Sequence, residues 1–410
     1  MKKKILIVTQ YFWPENFRVN ELAKELSEKG HIVDVLTGIP NYPHGNTFNE
    51  FKKNPNKFYR YNDIKIYRAR HWLRGRNKLS LFLNYISFPV VASIYAIFLA
   101  KKTKYDLVLG IQLSPIFSII PGIILKKFFK IPFYIWILDI WPDSIRASSK
   151  SINKFLFMII EYICKKIYSY ANTLFITSKG FEERLLEMNP EYQNLIYLPQ
   201  WVEREYIKSN PDSKKIEEDV KKIISKWADK KIFLFAGNIG DAQDFSSILS
   251  GFKGTHSKNK WVFLILGDGR FKLKLIEKIN YLNLEENVFY LGSFSSKYMS
   301  TFYSYADFLI FSLMDLPIFS LTLPGKVQSY MSSGTPILGM VNGEAARVIK
   351  QAKCGITVPS GDINAFSNMI NNTLIMPDYE LKKFGSNGRD FALKEFDSKR
   401  IINKLEKSIA

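Results

Sequence analysis

Cysteine is nearly absent: Cys164 and Cys354 are the only two in 410 residues and lie far apart. That excludes a disulfide framework and points to a reducing compartment. Histidine is almost as scarce, with four residues scattered singly, so no zinc spacing exists. Acid is short as well, 38 Asp and Glu against 58 Lys and Arg, for a net charge of +20. Such an excess bears on partners rather than fold: nucleic acid, an anionic membrane surface or phosphorylated ligands. No glycine occurs in Thr9-Gln10-Tyr11-Phe12-Trp13-Pro14-Glu15-Asn16, which excludes the dinucleotide fingerprint after the first apolar run. Gly325-Lys326-Val327 lacks the earlier glycine and the Ser/Thr of a P-loop. No Asp-x-Asp pair follows a strand and no serine nucleophile elbow is found. The run Ile5-Leu6-Ile7-Val8 is shorter than a signal-peptide core and has no small-residue cleavage site after it. It reads as a first buried strand, in a chain expected to stay in the cytoplasm.

What is present is a composition with ample core, 47% hydrophobic and 15% aromatic. The length suits two or three domains at roughly 150 residues each. β-Branched and aromatic runs recur at 4–9, 32–37, 106–110, 132–138 and 173–177, then at 231–236, 261–266, 288–291, 307–311, 336–341 and 355–358. Most are continuously apolar, the pattern of strands buried on both faces of a parallel sheet. Helical patterns separate them, so two doubly wound α/β domains are expected. Strand signals stop in the charged stretch 203–231, which sets domains at 1–202 and 203–389. The segment 390–410 reads as an amphipathic helix packing back on the first domain.

One segment departs from the soluble pattern. Leu79 to Ala100 contains no charge, long enough to cross a bilayer, which takes about 20 apolar residues. Over 57–104 there are eleven Lys and Arg and one acid, Asp63, with Tyr59, Tyr61, Tyr67 and Trp72 interleaved. Basic residues flank the apolar run on both sides, including Arg74 and Arg76 before it and Lys101 and Lys102 after it, whereas spanning favours one basic side. The region therefore reads first as a surface for anionic headgroups, next as a buried helix with solvated ends, and last as a span.

Three glycine-bearing loops follow strands of the second half. They are Gly237-Asn238-Ile239-Gly240-Asp241-Ala242-Gln243, then Gly267-Asp268-Gly269-Arg270, then Ile318 to Lys326. Ligands of doubly wound sheets sit outside the carboxyl ends of strands. Glycines allow close backbone approach and helix N-termini present free N–H groups to anions. Each loop alone is an ordinary tight turn; three at strand ends indicate a phosphate-bearing ligand. Pro324 begins a helix that Gly334 ends, and Lys326 adds a point charge to its dipole.

The segment Leu323-Pro324-Gly325-Lys326-Val327-Gln328-Ser329-Tyr330-Met331-Ser332-Ser333-Gly334-Thr335-Pro336 resembles the donor-site helix of retaining glycosyltransferases of family four. Gly237-Asn238-Ile239-Gly240, Gly267-Asp268-Gly269 and Asn342-Gly343-Glu344-Ala345-Ala346 continue the likeness. Tyr11 to Gly45, with Pro40-Asn41-Tyr42-Pro43, resembles the branch that builds bacterial O-antigen, capsule and colanic-acid-type polysaccharides, including N-acetylfucosaminyl-type transferases. The resemblance implies the two-domain GT-B fold with a nucleotide-sugar in the cleft between the domains. It assigns Gly237, Asn238, Gly240 and Gln243 to the diphosphate and Gly267, Gly269 and Arg270 to the nucleotide. Lys326, with the backbone of Thr322, Leu323, Pro324 and Gly325, would stabilise the leaving diphosphate, and Glu344 completes the donor set. Relatives carry two glutamates eight positions apart where this chain has Leu321 and Ser329, leaving Gln328 as the substitute by elimination. The glycine pair usual after the first strand is replaced by Pro14-Glu15-Asn16. Relatives also place a His or an acid after the strand at 132–138, where Asp139-Ile140-Trp141-Pro142-Asp143-Ser144 stands. Asp139 or Asp143 can orient or deprotonate the attacking hydroxyl, Asp139 narrowly preferred, although Asp143 also suits a turn cap.

The expected reaction is transfer from a nucleoside-diphosphate-sugar, UDP-sugars first, to a polyprenyl-diphosphate-linked saccharide at the inner membrane face. No cofactor, no metal and no nucleic-acid partner is expected. A nucleotide-sugar 2-epimerase of the same fold ranks second, since it needs acid/base groups and a histidine that this chain does not supply. A basic membrane- or nucleic-acid-binding protein without enzymatic activity ranks third.

Overall fold

The computed structural model describes residues 2–42, 45–75, 77–148, 152–202 and 213–409. Pro43 of the opening motif, Arg76 of the basic flank and 203–212 of the expected boundary lie outside the described residues. The chain forms two units, Met1–Pro199 with Ile402–Ala410, and Gln200–Ile401.

The first unit is built on an eight-stranded sheet in the order β3-β4-β2-β1-β5-β6-β7-β8. Its strands are β1 (Lys4–Val8), β2 (Ile32–Gly38), β3 (Arg60–Tyr61), β4 (Ile64–Ala69), β5 (Leu107–Gln112), β6 (Phe133–Ile137), β7 (Thr173–Ile176) and β8 (Leu195–Tyr197). All neighbours are parallel except β3 and β4, and central β1 pairs Ile5 with both Val33 and Leu107. The apolar runs fall on the central strands because these are covered on both faces. Three strands are additional to those expected: β3, β4 and β8. β4 alternates buried Ile64 and Ile66 with exposed Lys65, the pattern of a strand near a sheet edge rather than a continuous apolar run.

That finding divides the basic 57–104 segment. Arg68 is buried, donating to the carbonyls of Phe58 at 3.1 Å, Gly38 at 2.9 Å and Trp13 at 2.5 Å. Burial holds its guanidinium down at about 10, so Arg68 serves the fold and not a ligand surface. The apolar run itself is the helix Lys78–Lys102, joining β4 to β5. It alone among the described residues is long and apolar enough to cross a membrane. One face packs on the sheet through Phe88, Ala92, Ala96 and Leu99. Buried Asn84 on that face accepts from Gln10 Nε2 at 3.0 Å. Because both strands it connects belong to one sheet, the helix lies on that sheet.

The second unit has six parallel strands in the order β11-β10-β9-β12-β13-β14. They are β9 (Lys231–Ala236), β10 (Trp261–Leu266), β11 (Val288–Gly292), β12 (Phe308–Ser312), β13 (Ile337–Met340) and β14 (Gly355–Val358). Phe252 stacks on Phe263 at 4.6 Å and meets Phe233 edge-on at 5.4 Å beneath this sheet.

The single helix expected over 390–410 is two helices, Asp378–Glu395 and Ser398–Ile409, separated at Phe396 and Asp397. In the last helix Ile402, Leu405 and Ile409 are buried. Glu406 accepts from Lys29 Nζ at 2.5 Å and from His31 Nε2 at 2.9 Å. Apolar burial outweighs a partly exposed ion pair. Ile402→Ala is therefore expected to lower unfolding free energy in urea by about 2–4 kcal/mol. Glu406→Ala should cost less than about 1 kcal/mol, and the reverse ranking would contradict this account.

Candidate functional site

In the second unit the carboxyl ends of β9, β10, β12 and β13 carry the residues singled out from the sequence. β9 runs into Gly237, whose N–H donates to Leu266 O at 3.0 Å, and Ile239 N–H donates to Asp268 O at 2.9 Å. The first two glycine loops are thus stitched into one surface. Gly267 has φ +131° and a side chain there would lie 1.8 Å from Gly237 O; at Gly269 it would meet Ile239 O at 2.2 Å. Only glycine permits that approach. Gln243 is absorbed locally, its Oε1 accepting the Gly240 N–H at 3.0 Å. Arg270 and Asp241 form a long, exposed pair at 3.6 Å.

Lys326 reaches into this surface from the helix Gly325–Ser333, which Gly334 ends with φ +75°. Its Nζ lies 3.7 Å from the centre of the Phe235 ring, and a side chain at Gly237 would come within 2.6 Å of it. Among the described residues no carboxylate pairs with this ammonium. Burial without a counter-ion pushes its pKa down to about 7. One turn on, Tyr330 OH donates to Ala236 O and accepts from Ala236 N–H at 3.0 Å. The helix is thereby pinned to the end of β9. Phe235 and Tyr330 adjoin the candidate site and were missed by pattern reading; the signals were an aromatic residue next to a strand-end glycine and a tyrosine four residues after the lysine.

Other expected members are placed differently. Leu323 is in the core, Thr322 Oγ1 donates to Ile318 O at 2.8 Å, and Pro324 caps the Gly325–Ser333 helix. Gln328 is fully buried and both polar atoms of its amide lack a partner among the described residues. Glu344 is buried and held by Arg347 through two 2.7 Å contacts. The turn before Glu344 does join the site, since Gly343 has φ +65° and a side chain there would lie 2.0 Å from Ser320 O. Asn238 stands beside Gly240, where a side chain would meet its Nδ2 at 2.7 Å.

In the first unit the two aspartates diverge. Asp143 is buried and receives Arg184 Nε at 2.8 Å, and the same guanidinium holds Glu161. Asp139, after β6, accepts from Ser144 Oγ, and burial raises its pKa despite hydrogen bonds from Ser144 and Ser114. Three further polar groups follow β1, β2 and β4: Gln10 Oε1, Asn41 Oδ1 and His71 Nε2, all buried and unpartnered among the described residues. Burial lowers the pKa of His71. These groups were overlooked because the strand-end rule was applied only to the half with glycine loops. Among the described residues no group of three or more His, Cys, Asp or Glu is placed to hold a metal ion.

Residues 216–391 match the family model described as glycosyl transferases group 1. That match lies within the second unit and covers less than half of the chain. The chain is 24% identical over 246 residues to the protein named "Probable glycosyltransferase WbjE" of Pseudomonas aeruginosa, covering 58% of this chain and 59% of that one. The match therefore spans about three-fifths of that relative's length, and a Methanocaldococcus jannaschii glycosyltransferase is also covered over 59% of its length. A 2-deoxystreptamine N-acetyl-D-glucosaminyltransferase of Niallia circulans is 22% identical over 86% of both chains. Anabaena HepE, solved in complex with UDP, superposes with a TM-score of 0.72 at 15% identity over 99% of both chains. Sucrose-phosphate synthase of Thermosynechococcus elongatus superposes at 0.74 with 16% identity, covering 99% of this chain and 98% of that one. The expected GT-B fold of two Rossmann-like units is borne out.

Within the second unit, the Lys326 ammonium destabilises the native state until it loses its proton. Its pKa is about 7 when folded and near 10.4 when unfolded. Stability should rise with pH across that window, because the unfolded state binds the extra proton. Lys326→Met is expected to be more stable than the parent below pH 7, with the advantage shrinking towards pH 10. A constant difference across pH would show that the lysine is not desolvated.

Proposed function

We propose that the chain is a retaining glycosyltransferase that moves a sugar from a UDP-sugar to a saccharide carried on a polyprenyl diphosphate. The observation that carries this reading is the half-buried Lys326 ammonium, which has no carboxylate partner among the described residues and is set against the glycine surface of Gly237 and Gly267. A cation desolvated in this way gains most from an anion with several oxygens, and the adjoining helix N-terminus adds free N–H groups. Kinship with group 1 glycosyltransferases and the UDP complex of HepE support a uridine diphosphate as that anion.

Charge develops on the diphosphate as the bond from the anomeric carbon to its oxygen breaks. Lys326 and the N–H groups at Gly325 and Lys326 stabilise that charge where it forms, the role a divalent ion plays in other transferases. The acceptor hydroxyl attacks the oxocarbenium-like carbon from the face the diphosphate leaves, which retains configuration. Its proton passes to the departing phosphate oxygen or to Asp139, whose pKa is raised by desolvation. Asp143 is committed to Arg184 and serves the fold. The apolar helix Lys78–Lys102 supports a lipid-borne acceptor, an N-acetylated sugar being the first donor to try, and an O-antigen or capsule polymer the product class.

The direct test is transfer to a lipid-linked saccharide from a panel of nucleotide-sugars, with no transfer from any donor overturning the proposal. Lys326→Ala should lower kcat by about a hundredfold or more, with near-normal turnover removing its assigned role. UDP should be captured with uptake of a proton above pH 7, since binding raises the Lys326 pKa; affinity then falls as pH climbs. Calorimetry in buffers of different ionisation enthalpy reads this. Asp139→Asn should reduce kcat with UDP affinity unchanged. Asp143→Asn should chiefly lower thermal stability, because it leaves the Arg184 cluster short of an anion.

A further inference from the structure

The helix Lys154–Ser169 of the first unit is apolar on both sides. Phe157, Cys164, Ile167 and Tyr168 face the core. On the opposite side Phe155 is 71% exposed, Tyr162 60% and Met158 57%, with Leu156, Ile159 and Ile163 beside them. At 3.6 residues per turn these six occupy one contiguous arc of roughly 160°. Soluble helices put polar residues on such a face.

The sheet topology places this face beside a second one. The helices Lys78–Lys102, Ile120–Phe129 and Lys154–Ser169 join β4 to β5, β5 to β6 and β6 to β7, all steps in one direction along a parallel sheet. Right-handed crossovers put all three on the same side. The first two helices pack together, and Lys127 Nζ of the second lies 4.6 Å from the Tyr170 ring that closes the third. Leu79, Phe82, Ile86, Val90 and Ile94 form an exposed stripe on the first helix, and Phe128 on the second is 76% exposed.

Charge decides what covers this surface. The three helices contain a single acid, Glu161, and Arg184 already holds it. Lys102 lies 4.2 Å from the Phe98 ring and Lys166 lies 5.5 Å from the Tyr162 ring, so ammonium groups fringe the apolar side chains. Aromatic and aliphatic side chains bordered by lysines complement acyl chains beneath anionic headgroups.

We propose that Lys154–Ser169 is a second membrane-docking helix, which together with Lys78–Lys102 lays this side of the first unit flat on an anionic bilayer. This rests on the reading that the acceptor is lipid-borne, and it assigns a bilayer contact to a helix with no part in donor binding.

Co-sedimentation of the full chain is compared on vesicles of phosphatidylcholine alone and of phosphatidylcholine mixed with phosphatidylglycerol. The parent should bind the anionic vesicles and be released by salt in part only. Phe155→Glu combined with Tyr162→Glu should weaken that binding by more than about tenfold. UDP affinity and transfer to a water-soluble acceptor should stay at parent levels, which also shows that the variant folds. A milder pair, Phe155→Ser with Tyr162→Ser, should fall between. Undiminished vesicle binding by the glutamate variant overturns the proposal. So does a parent that ignores vesicles and sediments as a dimer broken by the same substitutions, since the surface is then an interface between copies. If transfer fails with every donor while vesicle binding behaves as described, the transferase reading falls and the docking helix stands.

Discussion

A desolvated ammonium without a counter-ion is the constraint on which the second unit's site depends. Lys326 is pressed against the Phe235 ring and the bare backbone at Gly237. A partly buried cation with no partner is costly to a fold, and shedding its proton near neutrality is the ordinary relief. Among the described residues the surroundings supply no carboxylate and instead supply backbone N–H groups and glycines, a lining suited to an anion brought from outside. The costs of the fold here include the positive φ of Gly237 and Gly267 and the fixing of the Gly325–Ser333 helix by Tyr330.

The first unit is organised by burial of polar groups of a different kind. Arg68 saturates three carbonyls and Asn84 meets Gln10, so loops after β1, β2 and β4 are tied to strand and helix. Glu15 belongs to the same scheme. It accepts the N–H groups of Asn41 at 2.8 Å and Tyr42 at 2.7 Å, while burial raises its pKa to about 7. Pro14-Glu15-Asn16, in the loop after β1, is thus a device that orders the loop after β2. The unpartnered atoms of Gln10, Asn41 and His71 lie at the same end of the sheet. Unpaired polar groups are tolerated there at a cost of about 1–3 kcal/mol each unless a ligand or water completes them.

Much of this was legible along the chain. Central strands of both sheets are buried on both faces, so continuous apolar runs revealed them, and 231–236 and 261–266 coincide with β9 and β10. The strands that escaped, β3, β4 and β8, lie at or beside an edge, where one face is wet and the apolar signal halves. The helix boundary at Gly334 and the contribution of Lys326 followed from local chemistry, a proline start and a glycine stop. Glu344 and Gln328 did not, because a motif gives a residue's place along the chain and not the direction its side chain takes. Glu344 meets Arg347 one turn away, and Gln328 turns inward.

The parallel α/β architecture, the three glycine loops at strand ends and a lysine at the head of a helix are all legible from residue to residue along the chain. These are local matters: periodicity, backbone freedom and capping are written in neighbouring residues. It took the folded chain to show that the lysine has an aromatic ring and, among the described residues, no carboxylate beside it, that Asp143 belongs to Arg184 while Asp139 does not, and that the charge-free run lies on a sheet. The reason is that pairing and desolvation are set by residues distant in sequence, such as Phe235 against Lys326 and Asp143 against Arg184, which meet only once the sheets have formed.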